Sequence, residues 1–304
     1  MDYPRDQLEF EDTFHTEEQC AYFFKRIRWG HGFVCAKCSF QEFWEKTRGR
    51  RVCKKCKFET TLYSGTMFEG SRLKLRLWYR AIWWVINQKH GTSASGLQKG
   101  LGIKSYETAW LLLHKIRGAM VDPQRSRLNG DIEIDEAWIG GKRGGAQKKG
   151  GKGNPIVIVA VEYSEKRLGR IRMSHIDIND TQKIVTFVAQ NIETGSHLHS
   201  DEWAAYLRLR SIGFKLTQTR SSRVDHEESK VLPRAHLVIS LLKNWLQGTH
   251  HGRIEKQHLQ AYLDEFTFRF NRRTSLSRGL LFKRLLENAI HQSGPTYQKL
   301  IKRK

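Results

Sequence analysis

Four of the five cysteines in this chain fall in one short window, as Cys35-Ala-Lys-Cys38 and Cys53-Lys-Lys-Cys56. The pattern is C-x2-C, fourteen residues, C-x2-C. Two such pairs, each on a tight turn, can present four thiolates to one Zn²⁺ in a tetrahedron. The neighbouring Lys37, Lys54, Lys55 and Lys57 favour the thiolate form. Between the pairs, Phe43, Trp44, Arg51 and Val52 form short β-like runs broken at Gly49. That is the pattern of a zinc ribbon. With all four positions filled by sulfur, no site is open to water, so this zinc is expected to be structural. Two disulfides are the other arrangement, and a reducing cytosol disfavours it. The fifth cysteine, Cys20, sits in a helical run from Glu17 to Ile27 behind Thr16 as N-cap, and is expected to be buried.

Charge narrows the partners. The 304 residues hold 53 Lys and Arg against 31 Asp and Glu, a formal charge of +22. Apolar residues make up 39% and aromatics 11%, too many for a disordered chain. No apolar run reaches the ~18–20 residues of a membrane span. The first residues, MDYPRDQLEFED, are acidic and lack the apolar stretch of a secretory signal. A collagen-like, membrane-spanning, disordered or secreted disulfide-rich protein is excluded. The expectation is a cytoplasmic, nucleoid-associated protein whose charge seeks a polyanion, with nucleic acid the leading candidate.

The middle of the chain reads as helices. Leu73 to Val85 is apolar, aromatic and basic, with Leu77, Ile82 and Val85 as core candidates. Ser93 is placed to cap a short helix through Leu101, which Gly102 ends; Ser105 is placed to cap a longer one through Met120. Ala109, Leu112, Leu113 and Ile116 share one face of the second helix. Two helices on a short glycine-containing turn predict a helix-turn-helix-like segment.

Then the chemistry changes. In Asp131-Ile132-Glu133-Ile134-Asp135 the acids alternate with isoleucine, so a strand carries the acids on one face. Carboxylates crowded on a buried strand are costly, and metal cations offset that cost. Residues 140–154 hold seven glycines, five Lys or Arg and no acid, a cationic loop suited to a phosphate backbone. Pro155 to Glu162 predicts a central strand and Arg170 to Ile176 a second; Asp180 is placed to cap a helix through Gln190. His197 to Asp201 predicts a third strand ending at an acid, before a helical pattern from Glu202 to Arg210. Strand ends of this kind are where open α/β sheets place ligand-binding groups. A last helix begins near Ala235, and His236 and Lys243, seven residues apart, line up on it.

In four stretches the chain resembles bacterial insertion-sequence transposases that join an N-terminal zinc ribbon to a DDE-type, retroviral-integrase-like domain. They are EIDEAWIGGKRGG (133–145), HSDEWAAY (199–206), KNWLQGTHHG (243–252) and KQHLQAYLDEFTFRFNRR (256–273). The resemblance implies an α/β, ribonuclease-H-like mixed sheet flanked by helices. It implies an acid triad that binds two divalent metals, Mg²⁺ or Mn²⁺, and catalyses DNA strand cleavage and joining. Asp135 and Asp201 match the two aspartates. His236 stands where many relatives carry Glu or Asn, and Lys243 matches the family's basic partner. Glu227 or Glu228 is the alternative third ligand. The implied partners are double-stranded DNA, both element ends and target, and further copies of the chain; no membrane is involved. A DNA-binding regulator that has lost catalysis and a hydrolytic nuclease are the rival functions.

The expected organisation is an N-terminal helical segment (1–32), the ribbon (33–63), the helix-turn-helix-like segment (64–125), the catalytic domain (126–275) and a basic C-terminal tail (276–304). On charge alone, non-specific DNA affinity should fall steeply with salt. Each neutralised phosphate contributes about −0.9 to the slope of log affinity against log salt concentration. A titration series across salt concentrations measures it, and a nearly flat line would contradict the polyanion reading.

Overall fold

The computed structural model describes residues 3–139, 155–165, 167–176, 181–220, 231–250 and 254–301. In chain order the helices are α1 (Gln7–Thr13), α2 (Glu17–Trp29), α3 (Leu75–Asn87), α4 (Ala94–Leu101), α5 (Tyr106–Ala119), α6 (Thr181–Asn191), α7 (Arg208–Ser211), α8 (Pro233–His250), α9 (Leu259–Asn271), α10 (Arg278–His291) and α11 (Tyr297–Ile301). The strands are β1 (Phe43–Lys46), β2 (Arg50–Cys53), β3 (Glu59–Thr60), β4 (Asp131–Trp138), β5 (Ile156–Ser164), β6 (Arg167–Ile176), β7 (His197–Ser200) and β8 (Lys215–Gln218). They form two compact units: Met1–Asp122 with Ser275–Arg303, and Pro123–Thr274. No helix among the described residues is long and apolar enough to cross a membrane.

In the first unit, local signals set each helix. Thr16 and Gln19 close a capping box on α2, and Cys20 is buried on that helix. Lys74 offers α3 no side-chain cap; instead Glu17 of α2 accepts the N–H groups of Leu75 and Arg76 at 2.9 and 3.0 Å. One acidic side chain thus caps its neighbour's N-terminus and docks the two helices. Ser93 and Ser105 cap α4 and α5 as the sequence predicts. Gly102 ends α4 at φ +63°, a conformation that favours glycine. From Leu112 to Ala119 α5 is buried apart from Gly118, so only its first turns, around Tyr106 and Glu107, face outward. Leu77, expected in the core, is only half-buried; Trp78 and Tyr79 take the inner positions.

The last segment corrects an expectation. Residues 276–304 are basic and expected as a tail, but 278–291 form a helix of the core. Ser277 caps α10, on which Leu281, Phe282, Leu285, Leu286, Ala289 and Ile290 are all buried. Their spacing is that of one helical face. Phe282 enters an aromatic cage, with ring centroids 5.4 Å from Phe10, 5.5 Å from Phe14, 5.6 Å from Tyr79 and 5.8 Å from Trp83. Gly279 lies against the Pro4 backbone, where a Cβ would overlap the carbonyl oxygen.

The second unit is one sheet of order β6-β5-β4-β7-β8. β4, β5 and β6 run antiparallel in sequence, while β7 pairs with β4 and β8 with β7 in parallel. An antiparallel meander followed by two parallel strands, with helices on both faces, is the ribonuclease-H-like arrangement. β5 is buried on both sides, as its unbroken apolar run requires. Val157, Val159 and Val161 pack towards α8 and α9; Ile156, Ile158 and Ala160 pack towards α6. Phe266 and Phe270 of α9 belong to the first of these cores. β8 has no counterpart in the sequence reading. The pattern after Glu202 becomes a 3-10 turn (Ala204–Leu207) and the short α7. The glycine-rich loop 140–154, Asp180, Glu227 and Glu228 lie outside the described residues.

Phe282→Ala should destabilise the first unit by about 3–5 kcal/mol, the usual cost of emptying a buried aromatic site. Denaturant unfolding of the full chain measures this. A change within a few tenths of a kcal/mol would return α10 to the status of an appendage.

Candidate active site and zinc ribbon

The ribbon's two cysteine pairs sit on two turns with the same backbone pattern. The Cys35 N–H donates to the Phe40 carbonyl at 2.9 Å, and the Ser39 N–H returns to the Cys35 carbonyl at 2.9 Å. At the other turn Cys53 donates to Phe58 at 3.0 Å and Lys57 to Cys53 at 3.1 Å. Ser39 and Lys57 both take positive φ, 58° and 60°. The turns are therefore twins, and the antiparallel pairing of β1 and β2 brings them face to face. The Sγ atoms of Cys35 and Cys56, and those of Cys38 and Cys53, lie 3.5 Å apart, and all four fall within 4.8 Å of one another. A disulfide needs ~2.05 Å, so the disulfide alternative fails. Four sulfurs ~2.3 Å from one ion stand close to these separations, and the donor set fits Zn²⁺. Burial opposes the Cys53 thiolate, but the N–H groups of Cys56 and Lys55 and the nearby sulfurs outweigh it and lower its pKa to about 7. At Cys38 the Phe40 N–H favours the thiolate, yet burial and the other three sulfurs push it up to about 12. Four crowded thiols cannot all ionise without a cation among them.

Beside the ribbon, Arg51 lies between two rings, its guanidinium carbon 3.8 Å from the Trp29 centroid and 4.2 Å from that of Phe43. Lys57 sits 4.0 Å over the ring of Trp44, which is exposed.

In the five-stranded sheet of the second unit the register does the placing. Asp131 pairs with His197, Ile132 with Leu198 and Glu133 with His199. Two steps further along the same register, Asp135 of β4 stands beside Asp201, which directly follows β7. Ile132 and Ile134 are fully buried on the opposite face, which fixes the acids on this one. His236, one turn into α8, brings Nε2 to 3.3 Å from Asp135 Oδ2. The structure therefore brings Asp135, Asp201 and His236 together. Lys243 is exposed, about 10 Å further along α8 at the usual helical rise.

Glu133 has a role that its place in the acid run does not reveal. It is buried, and its Oε2 accepts the backbone N–H groups of Arg234 at 2.7 Å and Ala235 at 2.8 Å. Its Oε1 accepts from the Arg234 guanidinium at 2.9 Å. The carboxylate ties the N-terminus of α8 to β4 and so sets where His236 points.

Sequence reasoning also missed Glu136. The Tyr206 hydroxyl donates to its Oε1, and its own N–H donates to Asp135 Oδ1 at 2.8 Å. Burial, then the charges of Asp135 and Asp201, push its carboxyl up to about 9. Asp201 is raised too, chiefly by burial, although the Trp203 N–H stabilises its charged form. The visible signal was an acid directly after Asp135 inside an apolar run. Two carboxylates and one imidazole, mostly oxygen with one nitrogen, form a donor set that suits Mn²⁺ or Mg²⁺. Burial, and to a lesser extent the charge of Asp135, oppose the Asp201 carboxylate, and a cation beside it would relieve both.

Comparison with known proteins follows this division. A transposase zinc-ribbon domain matches residues 15–59, and an ISXO2-like transposase domain matches residues 127–271. Both matched domains are transposase domains, and the chain is similar to the insertion-sequence transposases that join them. A curated relative, an uncharacterised protein in transposable element ISH50 of Halobacterium salinarum, is 30% identical over 131 residues, 42% of this chain and 43% of the relative. The chain thus spans less than half the length of that relative. A chain in a cryo-electron-microscopy structure of a simian T-cell lymphotropic virus intasome, bound to the PP2A regulatory subunit B56 gamma, matches 60% of this chain and 66% of its own. Its identity is 13% and its TM-score 0.31.

Glu136 gives a testable pH dependence. Folding raises its pKa from 4.5 to about 9, so the folded chain holds a proton that the unfolded chain has released. Stability from this group therefore falls as pH rises through that window. In protein stripped of divalent metal, Glu136→Gln should flatten the decline, measured as urea midpoints at about pH 6 and about pH 8. Parallel declines in both proteins would remove Glu136 as the cause.

Proposed function

We propose that this transposase is a divalent-metal-dependent polynucleotidyl transferase. It cuts DNA strands at the ends of its insertion sequence and joins the freed 3′ ends to target DNA. The observation that carries the reading is the convergence of Asp135, in mid-β4, with Asp201, just past the end of β7, and His236, with α8 fixed over them by Glu133. Asp135, Asp201 and His236 would hold Mg²⁺ or Mn²⁺. Such a cation, when bound, activates an attacking oxygen and offsets charge on the phosphate. His236 is a neutral nitrogen donor in this reading, and one carboxylate fewer favours Mn²⁺ over Mg²⁺. Glu136, protonated at neutral pH, keeps a third carboxylate's charge out of the cluster. Lys243, exposed on α8, binds a phosphate beside the scissile bond.

Recognition belongs to the first unit. Lys57 on Trp44, and the outward first turns of α5, give the cationic, aromatic and polar surface that DNA contact uses. Two element ends call for at least two copies of the chain on one DNA complex. The work is done where the cell's DNA lies, in the bacterial cytoplasm and nucleoid.

The test mixes paired element-end DNA with target DNA and Mn²⁺. Joined products are expected; cut but unjoined strands would indicate a nuclease, and no products a regulator. Asp135→Asn and Asp201→Asn should each abolish cleavage while DNA affinity stays within about threefold, because charge-driven binding does not need these carboxylates. His236→Ala should raise the Mn²⁺ requirement about 10–100-fold, and His236→Glu should shift preference towards Mg²⁺. Cleavage at the wild-type rate in either aspartate variant would remove that residue from the site. Normal cleavage by His236→Ala, with Glu227→Ala or Glu228→Ala inactive, would move the third ligand to that acidic pair.

A further inference from the structure

A second cluster of metal-binding side chains lies on the same sheet, away from the catalytic ends. Asp131 opens β4, and the parallel register sets His197 directly beside it, with His199 two residues further along β7. Strand alternation puts all three side chains on one face. His197 Nδ1 is 3.3 Å from Asp131 Oδ1, and His199 Nε2 is 3.4 Å from the same oxygen. The two imidazole rings lie 4.1 Å apart, and the three ligand atoms all fall within 4.8 Å of one another. These separations are long for hydrogen bonds, which cluster near ~2.9 Å. They match a tetrahedral ion instead: donors ~2.0–2.1 Å from zinc stand ~3.3–3.4 Å from one another.

The outer contacts fit the same purpose. His197 Nε2 lies 2.8 Å from the hydroxyl of Thr217 on β8, so its far nitrogen is engaged and its near one faces Asp131. Metal-bound histidines are held in just this way, by a partner on the second ring nitrogen. Exposure leaves room for water as a fourth ligand: the side chains of Asp131, His197 and His199 are 52%, 37% and 25% exposed. Along β4 the cluster is about 13 Å from Asp135 at the usual strand rise. The Glu133–Arg234 pair occupies the row between them.

We propose that Asp131, His197 and His199 form a third metal site, separate from both the ribbon and the catalytic cluster, that takes a borderline divalent cation of the Zn²⁺ or Co²⁺ class. Two imidazoles and one carboxylate favour such ions over Mg²⁺ or Ca²⁺. Bound there, the ion joins β4 to β7 directly and reaches β8 through Thr217. It therefore pins the register that sets Asp135 beside Asp201.

Cobalt separates the sites spectroscopically. The full chain carrying Asp135→Asn and Asp201→Asn, stripped of metal, is titrated with Co²⁺. Thiolate binding at the ribbon gives near-ultraviolet charge-transfer absorbance, whereas a nitrogen and oxygen site gives visible bands without it. We expect a second equivalent whose visible bands rise with no further charge transfer. His197→Gln and His199→Gln should each abolish it and leave the ribbon equivalent intact, and Thr217→Val should weaken it about 10–100-fold. In the wild-type chain, which needs no variant to fold, Zn²⁺ should protect His197 and His199 from diethyl pyrocarbonate, read by peptide mass spectrometry. The proposal is overturned by a second equivalent that survives His199→Gln, by its absence from the parent, or by equal modification of both histidines with and without Zn²⁺.

Discussion

Glu133 takes two backbone N–H groups at the start of α8 and the guanidinium of Arg234 onto the middle of β4. A helix beginning there would otherwise leave its first donors without partners and its positive end facing a strand. One buried carboxylate answers both needs, and charge-assisted bonds of 2.7–2.9 Å are among the stronger a protein makes. Everything chemical in the second unit hangs from that joint. It fixes the rotation of α8, and the rotation decides that His236 rather than a neighbour faces Asp135. Breaking such a buried pair from one side commonly costs about 3–5 kcal/mol.

The electrostatics of the sheet follow from this arrangement. A strand with acids at alternate positions cannot leave them all bare on a half-buried face. They are handled differently: Glu133 meets an arginine and a helix terminus, Asp131 lies beside two histidines, and Glu136, on the opposite face, holds its proton beside Tyr206. Asp135 and Asp201 are the pair left with an imidazole as their neighbour. The strongly positive chain has a local negative spot, and its position is set by which acids are already spoken for.

Local chemistry made much of this legible from the residues. The caps at Ser93 and Ser105, the doubly buried run of β5 and the four cysteines each declare themselves through spacing or residue type. The acid–isoleucine alternation placed Asp135 on the face opposite Ile132 and Ile134, whereas His236 was placed beside it only through the family resemblance. What stayed hidden depends on distant partners. Nothing local says that Glu133 will meet a helix a hundred residues away, or that Glu136 will keep its proton. The positive φ at Ser39 and Lys57 carries no glycine to announce it. β8 is four residues of a partly polar edge, too short for its period to show. The misreading of α10 is different: its apolar face was present in the residues, and the surrounding lysines and arginines drew attention away from it.

That helix also sets an order on biosynthesis. The first unit begins near the start of the chain and takes its last core residues from α10, with the whole five-stranded sheet encoded between. Domains usually mature from the N-terminus as they leave the ribosome. Here the aromatic cage must wait, open, until Phe282 arrives. A chain released early, at any point inside the five-stranded sheet, lacks the piece that completes the core of the first unit. Truncated products thus keep that core unfinished, a form of quality control written into chain order.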